Sequence, residues 1–258
     1  MTDDPVLTVT GLAKAYGRRV ACRDVSFELW PGEVLAVVGE SGSGKTTLLN
    51  CLGGLVPPDA GRVRFRRRSG EVIDLVAASE ALRRAILRAE WGFVRQNPRD
   101  GLRFGVSAGA NVGEPLMAIG GRHYGHIRGS ASEWLDAVEI DPARMDDLPS
   151  SFSGGMQQRL QIARNLVTHP AIVLMDEPTG GLDVSVQARL LDLIRRLVRE
   201  AGVAAIVVTH DLGVARLLAD RMLVMRQGCV VEAGLTDQLL DDPQHAYTQL
   251  LVSSVLTV

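Results

Sequence analysis

A chain of 258 residues with 46% apolar side chains has an ordinary globular composition, with room for one large domain or a core with an inserted subdomain. Its net charge of −2 gives no broad positive field, so nucleic acid and anionic membrane surfaces are not expected partners. Three scattered cysteines offer no Cys-x-x-Cys pair to suggest zinc or redox chemistry and fit a reducing compartment, and an acidic start with no apolar run near the roughly 20 residues of a membrane span points to a cytoplasmic protein without direct membrane insertion.

Residues 6 to 38 read as short strands and turns: Val6 to Val9, a turn-like stretch from Gly11 to Gly17, then Val25 to Leu29 and the turn Pro31-Gly32. Tyr16 sits ahead of Gly17, where an aromatic ring can either pack against the core or stack on a base. The apolar run Val34 to Val38 then delivers Gly39-Glu40-Ser41-Gly42-Ser43-Gly44-Lys45-Thr46-Thr47. This is a Gly-x4-Gly-Lys-Thr phosphate loop placed between a strand and a helix. The glycines allow backbone N–H groups to face a phosphate, Lys45 supplies a point charge, and the Thr46 hydroxyl suits Mg2+. The helix that follows adds its positive N-terminal end to the same site.

Beyond Pro57-Pro58-Asp59-Ala60-Gly61, the alternation Arg62-Val63-Arg64-Phe65-Arg66 predicts an edge strand guarded by charge. Ser79 to Glu90 predicts a helix with Ser79 as N-cap and Leu82, Ile86 and Ala89 on its apolar face. Trp91 to Val94 is a strand ending at Gln96, and from Asn97 to Phe152 the pattern turns to short helices broken by Gly and Pro. In that stretch His123 and His126 lack a third nearby ligand, so an exposed loop is expected there rather than a metal site, with a docking surface as the better functional candidate.

Ser153-Gly154-Gly155 opens a helix from Met156 to Val167 and makes a second glycine-rich helix N-terminus suited to an anion. Ala171 to Met175 is an unbroken apolar strand that delivers Asp176 and Glu177 at its C-terminal end, where ligands of parallel sheets bind. Val203 to Val208 is another buried strand, ending at Thr209-His210-Asp211. Met222 to Met225, the turn Gln227-Gly228 and Val230 to Glu232 follow, and a last helical stretch includes Tyr247 to Val252.

Taken together and in this order, these motifs resemble the ATPase domain of the ABC superfamily across essentially the whole chain. Tyr16 matches the adenine-stacking aromatic, Gly39 to Thr46 the Walker A loop, Gln96 the Q-loop and Ser153-Gly154-Gly155 the signature. Asp176-Glu177 match Walker B, Asp183 the D-loop and His210 the switch histidine. The resemblance implies an α/β fold: a P-loop core with an antiparallel β subdomain, formed by residues 1–96 and 154–258, and a helical subdomain inserted at 97–153. It implies a Mg-dependent ATPase in which Thr46, Gln96 and Asp176 hold Mg2+, Glu177 polarises the attacking water, His210 contacts the γ-phosphate and Lys45 neutralises phosphate charge. It also implies a homodimer sandwiching two ATP molecules, with Ser153, Gly154, Gly155 and Asp183 facing the nucleotide of the other protomer.

Within the superfamily, Gln96 to Arg103, Arg122 to Gly125, Phe152 to Gln161 and Pro178 to Arg189 are similar to the ATP-binding subunit of the bacterial carbon-phosphorus lyase system. That implies action on the lyase core complex in phosphonate catabolism. Asp242-Pro243-Gln244-His245-Ala246-Tyr247-Thr248 also resembles peptide-importer ATPases, for which a permease would be the partner. The sequence stops soon after this tail where the importer type usually carries a longer extension, which favours the lyase reading. An ATP-gated assembly clamp with incidental hydrolysis is a third reading. Two positions depart from the ABC pattern: Met156 in place of glutamine, and Gly180-Gly181 in place of Ser-Ala.

Overall fold

The computed structural model describes residues 4–255. In chain order the elements are β1 (Leu7–Tyr16), β2 (Arg19–Leu29), β3 (Val34–Val38), α1 (Lys45–Leu52), β4 (Ala60–Arg66), β5 (Val72–Asp74), α2 (Glu80–Glu90), β6 (Trp91–Val94), α3 (Pro98–Gly101), α4 (Ala108–Ala118) and α5 (Tyr124–Ala137). Then come α6 (Gly154–Leu166), β7 (Ile172–Asp176), α7 (Val184–Ala201), β8 (Ala204–Thr209), α8 (Leu212–Leu218), β9 (Arg221–Arg226), β10 (Cys229–Leu235), α9 (Thr236–Asp241) and α10 (Ala246–Val255). The chain divides into one compact unit of residues 1–84 and 204–258 and a second of residues 85–203.

The first unit holds an antiparallel sheet in the order β2-β1-β4-β5 and the sheet strands β10-β9-β3-β8. β3 runs parallel to both β8 and β9 and is buried along its whole length, as is β8. Strands buried on both faces read as continuous apolar runs, which is why Val34 to Val38 and Val203 to Val208 stand out without alternation. The second unit pairs β6 in parallel with β7 and also contains α3 to α7, of which α3 and α6 pack against β6.

Three expectations need correction. The stretch from Gly11 to Gly17 is not one turn, because β1 continues to Tyr16 through register shifts against β2. Gly11 takes up the irregularity at φ +60°, and its N–H donates to Ser26 Oγ at 2.9 Å. Strand β4 is interior rather than an edge, since it pairs with β1 on one side and β5 on the other. Its arginines alternate with buried Val63 and Phe65, so they mark the solvent face of the sheet. The alternation identifies a face, and cannot identify an edge.

The third correction concerns α2, where Ile86 is buried at 1% but Leu82 is 41% exposed, so the apolar face is narrower than its spacing suggests. The Ser79 cap does form, its Oγ accepting the Leu82 N–H at 3.3 Å. Helix α7, 18 residues long, is not among the expected elements. Leu190, Leu191, Leu193, Ile194, Leu197 and Val198 are its buried residues, each contributing about 1.5–3 kcal/mol by leaving water. Their i, i+3, i+4 spacing carries a full helical signal.

Candidate functional site

The predicted residues fall into two groups, one in each unit. In the first, the buried strand β3 drives the chain into residues 39–44, and the loop closes with the Ser43 N–H donating to the Glu40 carbonyl at 3.1 Å. Gly39, Gly42 and Gly44 sit at φ +146°, +81° and +107°, which L side chains rarely adopt. Two of these glycines are also required by space. A Cβ on Gly39 would lie 2.2 Å from the Met225 carbonyl oxygen, and one on Gly44 would lie 2.0 Å from that of Ala21.

Helix α1 starts with Gly44 as N-cap and no side chain capping it. Its orphan N–H groups and partial positive charge are therefore left to a ligand. The Ser43 hydroxyl is buried with no hydrogen-bond partner among the described residues. A cradle that Cβ atoms would fill, an uncapped helix N-terminus and an orphaned buried hydroxyl fit a polyphosphate. Lys45 Nζ is buried in this loop and donates to the Gly39 carbonyl at 2.6 Å and the Glu40 carbonyl at 3.0 Å.

The same sheet edge carries His210. Val38 is in parallel register with Thr209, so Gly39 and His210 each begin the loop leaving neighbouring strands. Asp211 fixes the exit: its Oδ1 accepts the Gly213 N–H at 2.7 Å and the Val214 N–H at 3.3 Å at the start of α8. His210 itself is exposed. Tyr16 ends β1, is 49% exposed, and has Lys14 Nζ 5.7 Å from its ring centroid, so it is not a core residue. Lys14 is itself tied to Asp59 at 2.7 Å, a contact that raises its pKa.

In the second unit, the parallel register of Val94 with Met175 sends Gln96 and Glu177 out of adjacent strand ends. A Cβ on Gly180 would lie 3.5 Å from Gln96 Nε2 and 3.2 Å from the Glu177 carbonyl, so the Gln96 amide lies beside the Glu177–Gly180 turn. That turn closes with the Gly180 N–H donating to the Glu177 carbonyl at 2.9 Å. Asp176 is buried at the end of β7. Glu177 adopts φ +45°, a left-handed conformation costing a non-glycine residue about 1–3 kcal/mol. Such strain persists only where the surroundings impose it.

Ser153 caps α6, its Oγ accepting the Met156 N–H at 3.3 Å, while Ser153 and Gly154 stay exposed. Gly155 is buried, and a Cβ there would lie 2.8 Å from Val186 Cγ1, so the signature turn rests on the start of α7. Asp183 is the exposed N-cap of α7 with no side-chain cap bond, beside Val184 at 82% exposure. An exposed aliphatic there is available to another surface.

Sequence reasoning missed how α6 is tied to the residue before Gln96. Gln161 Oε1 accepts the Arg95 N–H at 2.6 Å and its Nε2 donates to the Arg95 carbonyl at 3.1 Å, with Gln158 Nε2 donating to the same carbonyl at 3.3 Å. Both glutamines are buried. Gly101 makes the room, since a Cβ there would lie 2.1 Å from Gln161 Oε1. Gln161→Leu leaves the Arg95 N–H without its acceptor, the Arg95 carbonyl keeping Gln158, and is expected to lower stability by about 1–3 kcal/mol. Denaturant unfolding checks this, and an unchanged midpoint contradicts it.

Among the described residues no three His, Cys, Asp or Glu side chains cluster as a metal site, and no helix is long and apolar enough to cross a membrane. His123 instead caps α5, its Nδ1 accepting the His126 N–H at 3.2 Å.

The family model described as ABC transporter matches residues 22–180. Over 98% of its length the chain is 65% identical to an ATP-binding protein of Escherichia coli strain K12 named for phosphonates utilization, PhnK, covering 99% of that protein. A peptide import ATP-binding protein of Brucella melitensis biotype 1 is 38% identical over 99% of the chain and 79% of its own length. Among solved structures, the ATP-binding cassette MJ0796, a dimer in a post-hydrolysis state bound to ADP and Pi, superposes with a TM-score of 0.79 at 31% identity, covering 89% of this chain and 98% of that one. The structure of cbiO1 from Clostridium perfringens gives a TM-score of 0.81 at 28% identity, over 93% of this chain and 92% of that one. The chain belongs to the ABC transporter family and is an ATPase of its nucleotide-binding cassette type.

Proposed function

We propose that the protein is the ATP-hydrolysing subunit of a phosphonate-utilization system, and that it pairs with a second copy on ATP and acts on the carbon-phosphorus lyase core complex. The observation that carries this reading is the 65% identity to the phosphonates utilization protein over nearly the full length of both chains. Pairing is supported by the dimeric cassette and by the exposure of Ser153, Gly154, Asp183 and Val184.

In this reading Lys45 and the backbone of residues 39–47 hold the ATP phosphates, and Tyr16 stacks on adenine. Thr46, Gln96 and Asp176 offer hydroxyl, amide and carboxylate oxygens, the hard donors that Mg2+ takes alongside phosphate and water. Mg2+, when bound, neutralises charge on the β- and γ-phosphate oxygens. Glu177 accepts the proton of the attacking water, and His210 donates to the γ-phosphate. Ser153, Gly154 and Gly155 present a helix N-terminus to the nucleotide of the other copy. Residues 97–153 form the inserted helical subdomain, with residues 1–96 and 154–258 as the core. Phosphoryl transfer asks mainly for placement and charge stabilisation, so no covalent nucleophile is assigned.

The 38% identity to a peptide import protein favours a second reading, an importer ATPase with a permease as partner. Affinity purification from the native host, with and without ATP, separates the two. The proposal expects lyase core proteins in a nucleotide-sensitive complex, and copurification of a permease without them contradicts it.

A further inference from the structure

We propose that Tyr247 is a positioning residue of the phosphate loop: its hydroxyl, reaching in from α10, fixes the Gly39–Glu40 peptide that seats the Lys45 ammonium. The Glu40 N–H donates to Tyr247 Oη at 3.1 Å. The carbonyl of that same peptide, on Gly39, accepts from Lys45 Nζ at 2.6 Å. A trans peptide is planar, with its C=O and N–H pointing in opposite directions. Tyrosine and lysine therefore hold one plane from its two sides, and a rotation that frees either bond disturbs the other. The plane needs an outside anchor because the residue ahead of it is a glycine at φ +146°, with no side chain to hold it.

Tyr247 is itself held firmly. Its ring is 3% exposed and packs in a cluster with Val38, Val224 and Leu239. The Arg226 guanidinium lies 4.8 Å from the ring centroid. One turn earlier, the Glu232 carboxylate accepts the N–H groups of Gln244 and His245 at 2.8 and 3.2 Å, and His245 Nδ1 accepts the Tyr247 N–H at 3.1 Å. These contacts give the run from Asp242 to Thr248 a role: it carries a hydroxyl to the back of the phosphate loop. The inference rests on the reading that Lys45 and this loop hold ATP.

Tyr247→Phe keeps the ring, its packing and the arginine contact while removing one oxygen. The test measures dissociation constants for a fluorescent ATP analogue in the full chain, Tyr247→Phe, Lys45→Ala and the double variant. Tyr247→Phe is expected to weaken binding about 3- to 10-fold, the usual worth of one such hydrogen bond. On the Lys45→Ala background the same change is expected to have no further effect, because the hydroxyl acts through the lysine. Unchanged binding in Tyr247→Phe, with Lys45→Ala weakened, overturns the inference alone. An equal loss in both backgrounds shows a merely structural tyrosine and overturns it too. If Lys45→Ala binds like the parent, the phosphate-site reading falls and the inference with it.

Discussion

Glu177→Gln is expected to leave Mg-ATP binding intact and to lower turnover by about 10^2- to 10^4-fold, the usual contribution of a positioned base. The substitution keeps the shape of the side chain and removes its capacity to take a proton. The structure gives this position unusual definition. Glu177 follows a fully buried strand, stands at φ +45°, and is closed into a turn by the Gly180 N–H, with the Gln96 amide alongside. A backbone held in a costly conformation at the end of a parallel strand aims its side chain, and here that side chain is a carboxylate. Nucleotide binding and phosphate release measured on one preparation check the result. An unchanged hydrolysis rate removes Glu177 from its role.

Gly44→Ala is expected to abolish ATP binding at concentrations that saturate the parent and to cost on the order of 3 kcal/mol of stability. The added methyl would lie 2.0 Å from the Ala21 carbonyl oxygen at φ +107°. The oxygen belongs to backbone, and the methyl has no torsion by which to swing aside. The Gly228 N–H donates to the Ser43 carbonyl at 2.9 Å and the Arg23 N–H to the Gly228 carbonyl at 2.8 Å, so the strands behind the loop are locked to it. The loop itself must shift, and α1 starts with it. Gly42→Ala is the internal comparison. Its φ of +81° is strained, but its nearest neighbour is the far end of the Arg19 side chain at 3.3 Å, so about 1–2 kcal/mol is expected. Denaturant unfolding and nucleotide titration of both variants check the contrast, and equal effects contradict it.

The signals that were legible in the sequence were those compressed into a few consecutive residues. Buried strands ending in Gly39, Asp176 and Thr209-His210 could be read because a doubly buried strand is a continuous apolar run and its C-terminal end is where ligands bind. What stayed hidden depends on partners far along the chain. Tyr247 meets Glu40 across 207 positions and Gln161 meets Arg95 across 66, and no local pattern encodes either pairing. The order β2-β1-β4-β5 was likewise out of reach, since Arg62, Arg64 and Arg66 alternate identically in an edge or an interior strand. Helix α7 is a different case, because its periodic apolar residues are a local signal within the sequence.

The central claim is that two copies close around ATP and part after hydrolysis. Sedimentation of Glu177→Gln tests it most directly, because slowed turnover holds the ATP-bound state long enough to weigh. In Mg-ATP the mass is expected to be twice that of the 27.8 kDa chain, returning to the single-chain value in Mg-ADP. A single-chain mass in saturating Mg-ATP would contradict the account.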